Sequence, residues 1–196
     1  MAGAKPSFTK SHEITALLTL YPGRTSRKKL SESLGVGEGS VRTILDNLHS
    51  RKMVESDKTG HTLSDTGKAY VEKLLGYFTL PAPLKSRDML VGEHVYYSWV
   101  AGSKEKLSRQ GTVESVTALK EGADSAVILV KSRSGLKFPS KGFHIKQYNQ
   151  TVDELTQNLD ELNPGDVIVL TSADTKPVSI NSLTSVIMLL KKELFQ

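Results

Sequence analysis

The chain has 196 residues, 38% hydrophobic and 24% charged, so it can fold as one large domain or two small ones and is too apolar to be disordered. It has no cysteine, no apolar leader in residues 1–11 and no run approaching the ~18 apolar residues of a membrane span, so the expectation is a soluble, cytoplasmic protein without disulfides or thiolate metal sites. The net charge is +5, and residues 1–80 hold 12 Lys and Arg against 8 Asp and Glu, so the excess sits in the first half, as expected of a part that meets a polyanion.

Ile14, Leu17, Leu18 and Tyr21 recur at helical spacing, with Ser11 as the expected N-cap and Pro22-Gly23 as the stop. A second helix follows Thr25-Ser26, turns Leu30 and Leu34 inward and ends at Gly35. A third runs from about Glu38 to Arg51, with Val41, Ile44, Leu45 and Leu48 on one buried face. Two short extended runs, 53–56 and 61–64, flank the turn residues Asp57-Lys58-Thr59-Gly60 and read as a hairpin. A fourth helix carries Tyr70, Val71, Leu74, Leu75 and Phe78 on one side. Leu80-Pro81-Ala82-Pro83 then breaks the pattern, which sets expected domains at 1–80 and 84–196 with a linker at 81–83.

Beyond the linker, 94–100 reads as a strand and 112–121 as a helix closed by Gly122. The apolar run 125–131 reads as a strand buried on both faces. Thr151 and Glu154 have the spacing of a capping box opening another helix. The turn 163–166 precedes the strand 167–170, and a last helix aligns Ile180, Leu183, Ile187, Leu190 and Leu194. Strands alternating with helices predict an α/β layer rather than a barrel.

The passage Lys29-Leu30-Ser31-Glu32-Ser33-Leu34-Gly35-Val36-Gly37-Glu38-Gly39-Ser40-Val41-Arg42-Thr43-Ile44-Leu45 places a short helix, a glycine-containing turn and a longer helix in succession. Such a turn lets the N-terminal end of the second helix protrude into a major groove. Ser40 and Thr43 are short enough to reach base edges or phosphates, and Arg42 suits a phosphate or a guanine. The free amides of residues 37–40 suit a phosphate, next to which Glu38 is awkward. Against this, Arg42 and Asp46 are spaced for a surface ion pair, and Lys28-Lys29 is a pair of the kind that solvent usually claims.

This passage, continued through His61-Thr62-Leu63-Ser64-Asp65-Thr66-Gly67, resembles the winged helix-turn-helix family of transcription regulators over about 70 residues. The resemblance implies an N-terminal winged helix-turn-helix; with the small α/β domain read beyond it, the expectation is an α+β protein. The resemblance also implies base contacts by Ser40 and Thr43, flanked by Arg42 and Asn47, and phosphate contacts by Arg27 and Lys28. Lys58 and Thr59 would sit at the wing tip, where Lys58 and His61 are the basic groups and a minor-groove arginine is missing. Some winged helices serve instead as protein-interaction modules.

Glu121-Gly122-Ala123-Asp124 and Gly165-Asp166-Val167-Ile168-Val169-Leu170-Thr171-Ser172-Ala173-Asp174 are similar to an archaeal domain of unknown function that follows winged-helix domains. The archaeal riboflavin kinase also carries an N-terminal winged helix, but the phosphate loops of its β-barrel are not found here. Other features are ambiguous. Tyr96, Tyr97 and Trp99 line a pocket or fill a core, and Arg133, Lys137 and Lys141 hold an anionic effector or surround a solvated turn. His94 and His144 have no partner at metal-ligand spacing. The expected protein is therefore a non-enzymatic regulator that needs no cofactor and binds duplex DNA. It is expected to be a homodimer, whose last helix (Val186 to Leu190) buries one face at home and one across the dimer. The second domain would dimerise, sense a small molecule, or both.

Overall fold

The computed structural model describes residues 8–140, 144–159 and 162–196. It divides into two compact units, Met1–Gly76 and Tyr77–Gln196.

In the first unit, helices α1 (Lys10–Leu20), α2 (Arg27–Leu34) and α3 (Glu38–Ser50) are followed by strands β1 (Val54–Asp57) and β2 (Gly60–Leu63) and helix α4 (Asp65–Leu75). Ile14, Leu17, Leu30, Leu34, Val41, Ile44, Leu48, Val71 and Leu74 are buried together, so the stripes read from spacing do form one core. The N-cap of α1 is Thr9, whose amide donates to His12 Nδ1 at 3.0 Å, and not Ser11, which is buried inside the first turn. Ser26 caps α2 by accepting from the Lys29 amide at 3.2 Å, and Gly35 ends it in the left-handed region at φ 67°. β1 and β2 form the antiparallel wing, with Asp57 opposite Gly60. Thr25 adds a third rung, exchanging two 2.9 Å backbone bonds with His61.

The second unit is a five-stranded antiparallel sheet in the order β3-β4-β7-β5-β6. Its strands are β3 (Ala82–Pro83), β4 (His94–Val100), β5 (Ser125–Ser132), β6 (Gly135–Lys137) and β7 (Val167–Ala173), and its helices α5 (Thr112–Lys120), α6 (Asn149–Asn158) and α7 (Lys176–Leu190). One face packs Val95, Tyr97, Leu129, Ile168 and Leu170 on Leu155 of α6 and on Leu84 and Leu90. The alternate residues face α7, where Thr171 donates to the Ser179 carbonyl at 2.8 Å. With both faces covered, the sheet explains the unbroken apolar runs of β5 and β7, although every pairing is antiparallel. This open, helix-covered sheet is not the β-barrel of the riboflavin kinase.

Several expectations need correction. Phe78 is not on α4, which stops at Leu75. It is 1% exposed within the second unit, its ring 6.4 Å from that of Phe195. The segment 81–83 is not a linker, because Ala82 and Pro83 pair with Tyr97 and Tyr96 at the sheet edge, where a proline costs no ladder bond. Thr151 and Glu154 make no capping box. Asp88 takes the Gln150 and Thr151 amides at 3.1 and 3.2 Å, and Glu154 reaches back to the Lys85 and Ser86 amides at 2.9 and 2.8 Å. Tyr96 and Tyr97 are core residues on opposite faces, and Trp99 donates to the buried Asp166 at 2.8 Å, so the three line no common pocket. The last helix keeps no broad apolar face for a partner: Val186, Ile187 and Leu190 are buried and Met188 half-buried, leaving Leu189 exposed.

Candidate nucleic-acid interface

α3 is held from behind and bare in front. Val41, Ile44, Leu45 and Leu48 anchor it in the core, while Gly39, Arg42, Thr43, Asp46, Asn47 and Ser50 are exposed. A Cβ added at Gly37 or Gly39 would meet nothing within 4 Å, so its first turn is open to a ligand's approach. Ser31 supports the turn before it by donating to the Val36 carbonyl at 2.5 Å.

Arg42 is exposed and, among the described residues, forms no ion pair with Asp46 or any other carboxylate. Thr43 is exposed and donates to the Gly39 carbonyl at 3.3 Å, whereas Ser40 is half-buried. Arg27 lies 3.2 Å from Glu38, which resolves the awkward carboxylate at the start of α3: the guanidinium offsets it. Lys28 is exposed at the start of α2. Asn47 is turned toward α1, donating to Glu13 at 2.8 Å, and Arg51 grips the other Glu13 oxygen at 2.5 Å. This clamp fixes the angle of α3 on α1.

The wing tip contains a residue that sequence reasoning missed. Arg24, from the loop after α1, reaches Asp57 at 2.5 Å and the Thr59 hydroxyl at 2.9 Å. The wing therefore has an arginine after all, supplied 33 residues away in sequence and invisible to spacing. Thr59's hydroxyl and amide, then Arg24, hold the exposed Asp57 carboxyl down to about 2. Lys58 is exposed beside them. His61 lies deeper, half-buried, in a relay with Ser56 and His49: 2.5 Å from its Nδ1 to the Ser56 hydroxyl and 2.6 Å from there to His49 Nε2. Burial first, then the His49 and Arg27 charges, lower its pKa against the pull of Asp57.

In the second unit, Arg133 is exposed in the β5–β6 turn and Lys137 on β6, while Lys141 lies outside the described residues. His94 is half-buried opposite Ala173 and His144 is exposed. No helix is long and apolar enough to cross a membrane among the described residues.

Residues 12–69 match the family described as PH0730-like, N-terminal domain. The hypothetical protein PH0730 from Pyrococcus horikoshii OT3 has a similar structure, with a TM-score of 0.79, 27% identity and 95% of each chain covered. A comparison with curated proteins returns no match. Residues 91–190, half of the chain, match the domain of unknown function DUF4443, in agreement with the resemblance read from 121–124 and 165–174, and the chain belongs to that family.

Proposed function

We propose that this protein is a DNA-binding transcription regulator whose winged helix reads duplex DNA, α3 entering the major groove and the wing lying along the backbone. The observation that carries this is Arg42, exposed on the outer face of α3 without a carboxylate partner among the described residues, beside an N-terminal turn kept bare by two glycines. Arg24, Lys28, Lys29 and Lys58 add exposed cations on α2, its preceding loop and the wing. Thr43 supplies a short hydroxyl to the same face.

A protein-docking reading of this unit is less favoured. Among the described residues, every exposed large apolar side chain lies at or beyond Tyr77, so the winged helix lacks the aromatic or aliphatic anchors of a docking face. The deciding experiment is fluorescence-anisotropy titration of duplex DNA at two salt concentrations, including the sequence upstream of the protein's own gene. Binding should weaken steeply with salt, and Arg42→Ala should cost ~1–3 kcal/mol if Arg42 reads a guanine. No binding at low salt, or full affinity in Arg42→Ala, would overturn the proposal.

A further inference from the structure

A surface helix ordinarily turns its large apolar side chains to the core. α5 does the opposite. The residues it buries are Glu114 and Ala118, while Val113, Val116 and Leu119 are 52%, 41% and 47% exposed. The inversion is built in. Glu114, 2% exposed, accepts from the Ser108 amide at 3.0 Å and from the Ser108 hydroxyl, which in turn accepts from the Val113 amide at 2.9 Å. Gln110 and Gly111, both left-handed at φ 65° and 73°, set the entry angle. Rotating α5 to bury its valines would pull a buried carboxylate off its donors, which costs more than the valines would gain. Leu189 of α7, 38% exposed, continues the apolar face: with Val113 and Leu190 it lines a cleft of about 400 Å³ bordered by Lys106, Lys192 and Glu193.

We infer that this face is the interface between two copies of the chain, packed about a two-fold axis with α5 antiparallel to its counterpart. The charges around it do not stand in the way of a second copy. At its rim Lys106 bridges Glu193 and Lys104 bridges Glu105 within the chain, and Glu121 accepts from Asn181, so most of the rim charge is neutralised before a two-fold partner arrives. Antiparallel helices also align their dipoles head to tail. The four apolar side chains expose on the order of 300 Å², a fitting centre for an interface of roughly 800 Å² per partner with a polar rim. The inference rests on the DNA-binding proposal only for its purpose, since two winged helices would read two half-sites.

The test is light scattering of the full chain without DNA, from about 1 to about 100 µM, a range that spans modest dimer affinities. The expected mass is twice 21.4 kDa. Val116→Arg, at an exposed position, should keep the folded circular-dichroism spectrum and lower the mass to one chain, weakening association at least about tenfold. Val91→Arg, at a position 79% exposed on another segment, should leave the dimer intact. A single-chain mass for the wild type at 100 µM, a Val116→Arg chain that stays dimeric, or a Val91→Arg chain that dissociates would overturn the inference. Because no DNA is present, failure of the DNA-binding proposal would leave this result standing.

Discussion

Replacing Gly67 by alanine should loosen the winged helix, and the structure sets the scale. Gly67 is buried in the first turn of α4, and a Cβ there would lie 2.0 Å from the Met53 carbonyl oxygen and 2.9 Å from its carbon. Carbon and oxygen approach no closer than roughly 3.3 Å without repulsion, so α4 or the Met53 strand entry must retreat by about 1 Å. Three bonds cross that junction: the Ser64 amide to Met53 at 3.0 Å, the Gly67 amide to the Ser64 hydroxyl at 3.1 Å, and that hydroxyl to the Lys52 carbonyl at 2.6 Å. Overpacking of ~1–3 kcal/mol and about 1 kcal/mol for each of two weakened bonds, less the ~1 kcal/mol by which alanine favours a helix, leaves about 2–4 kcal/mol. Amide hydrogen exchange on the full chain reads this directly. Leu30, Ile44 and Leu48 should lose protection by a factor of roughly 30 to 700, while Leu129 and Leu170 keep theirs. A loss below about threefold at the first three would mean that the junction relaxes without cost, and the packing argument would fail.

The other predictions concern charge and burial. His12 and His61 both have pKa values below 6.5, chiefly through burial, so the unfolded chain takes up their protons first as pH falls. The melting temperature should therefore be level above pH 6.5 and fall as pH drops from there through the folded values; a rise over that window would contradict the relay geometry. Asp57, held at about 2, contributes stability above pH 3.8 that disappears as pH falls toward 2, and its carboxyl carbon should titrate there by NMR. Asp57→Asn removes a wing-tip anion and releases Arg24, so duplex affinity should rise about three- to tenfold and the salt slope by about one; unchanged affinity would exclude Arg24 from the interface. Ser182 is 0% exposed and its hydroxyl has no hydrogen-bond partner among the described residues, so Ser182→Ala should stabilise the second unit by about 1 kcal/mol in denaturant titrations, and destabilisation would reveal a partner.

What could be read from sequence follows the reach of each interaction. The α3 stripe Val41, Ile44, Leu45 and Leu48 is a local signal with one solution, and β4 matches its expected range because His94–Val100 alternates into two buried faces. The misses involve partners far apart in the chain. Thr151 and Glu154 have the spacing of a capping box, but Asp88 lies 63 residues away and offers a full charge to the Thr151 amide that the box would have used. Arg24 cannot be assigned to the wing until Thr25 is seen pairing with His61. For α5, spacing identifies the helix but not its rotation, which the Ser108–Glu114 contact decides. Among the proposed DNA contacts, Arg42 keeps the exposure its position implies, whereas Asn47 and His61 are drawn into clamps that only the fold creates.

These clamps bear on how tightly one winged helix can hold DNA. Arg27 is offset by Glu38, Arg24 by Asp57, and Arg51 by Glu13; on α2, α3 and the wing tip this leaves Lys28, Lys29, Arg42 and Lys58 as exposed cations without an ion-pair partner among the described residues. If three or four of these meet phosphates, the slope of log affinity against log salt is about −3, and binding falls by roughly 60-fold between 50 and 200 mM salt. Such a module alone would be mostly free at physiological ionic strength. Two modules joined through α5 would double the slope to about −6 and gain effective concentration for the second half-site. The Val116→Arg chain should therefore bind a palindromic duplex with half the wild-type slope and a lower affinity, yet bind a single half-site as wild type does. Equal slopes on the palindrome would separate dimerisation from DNA binding and leave the α5 face with another task.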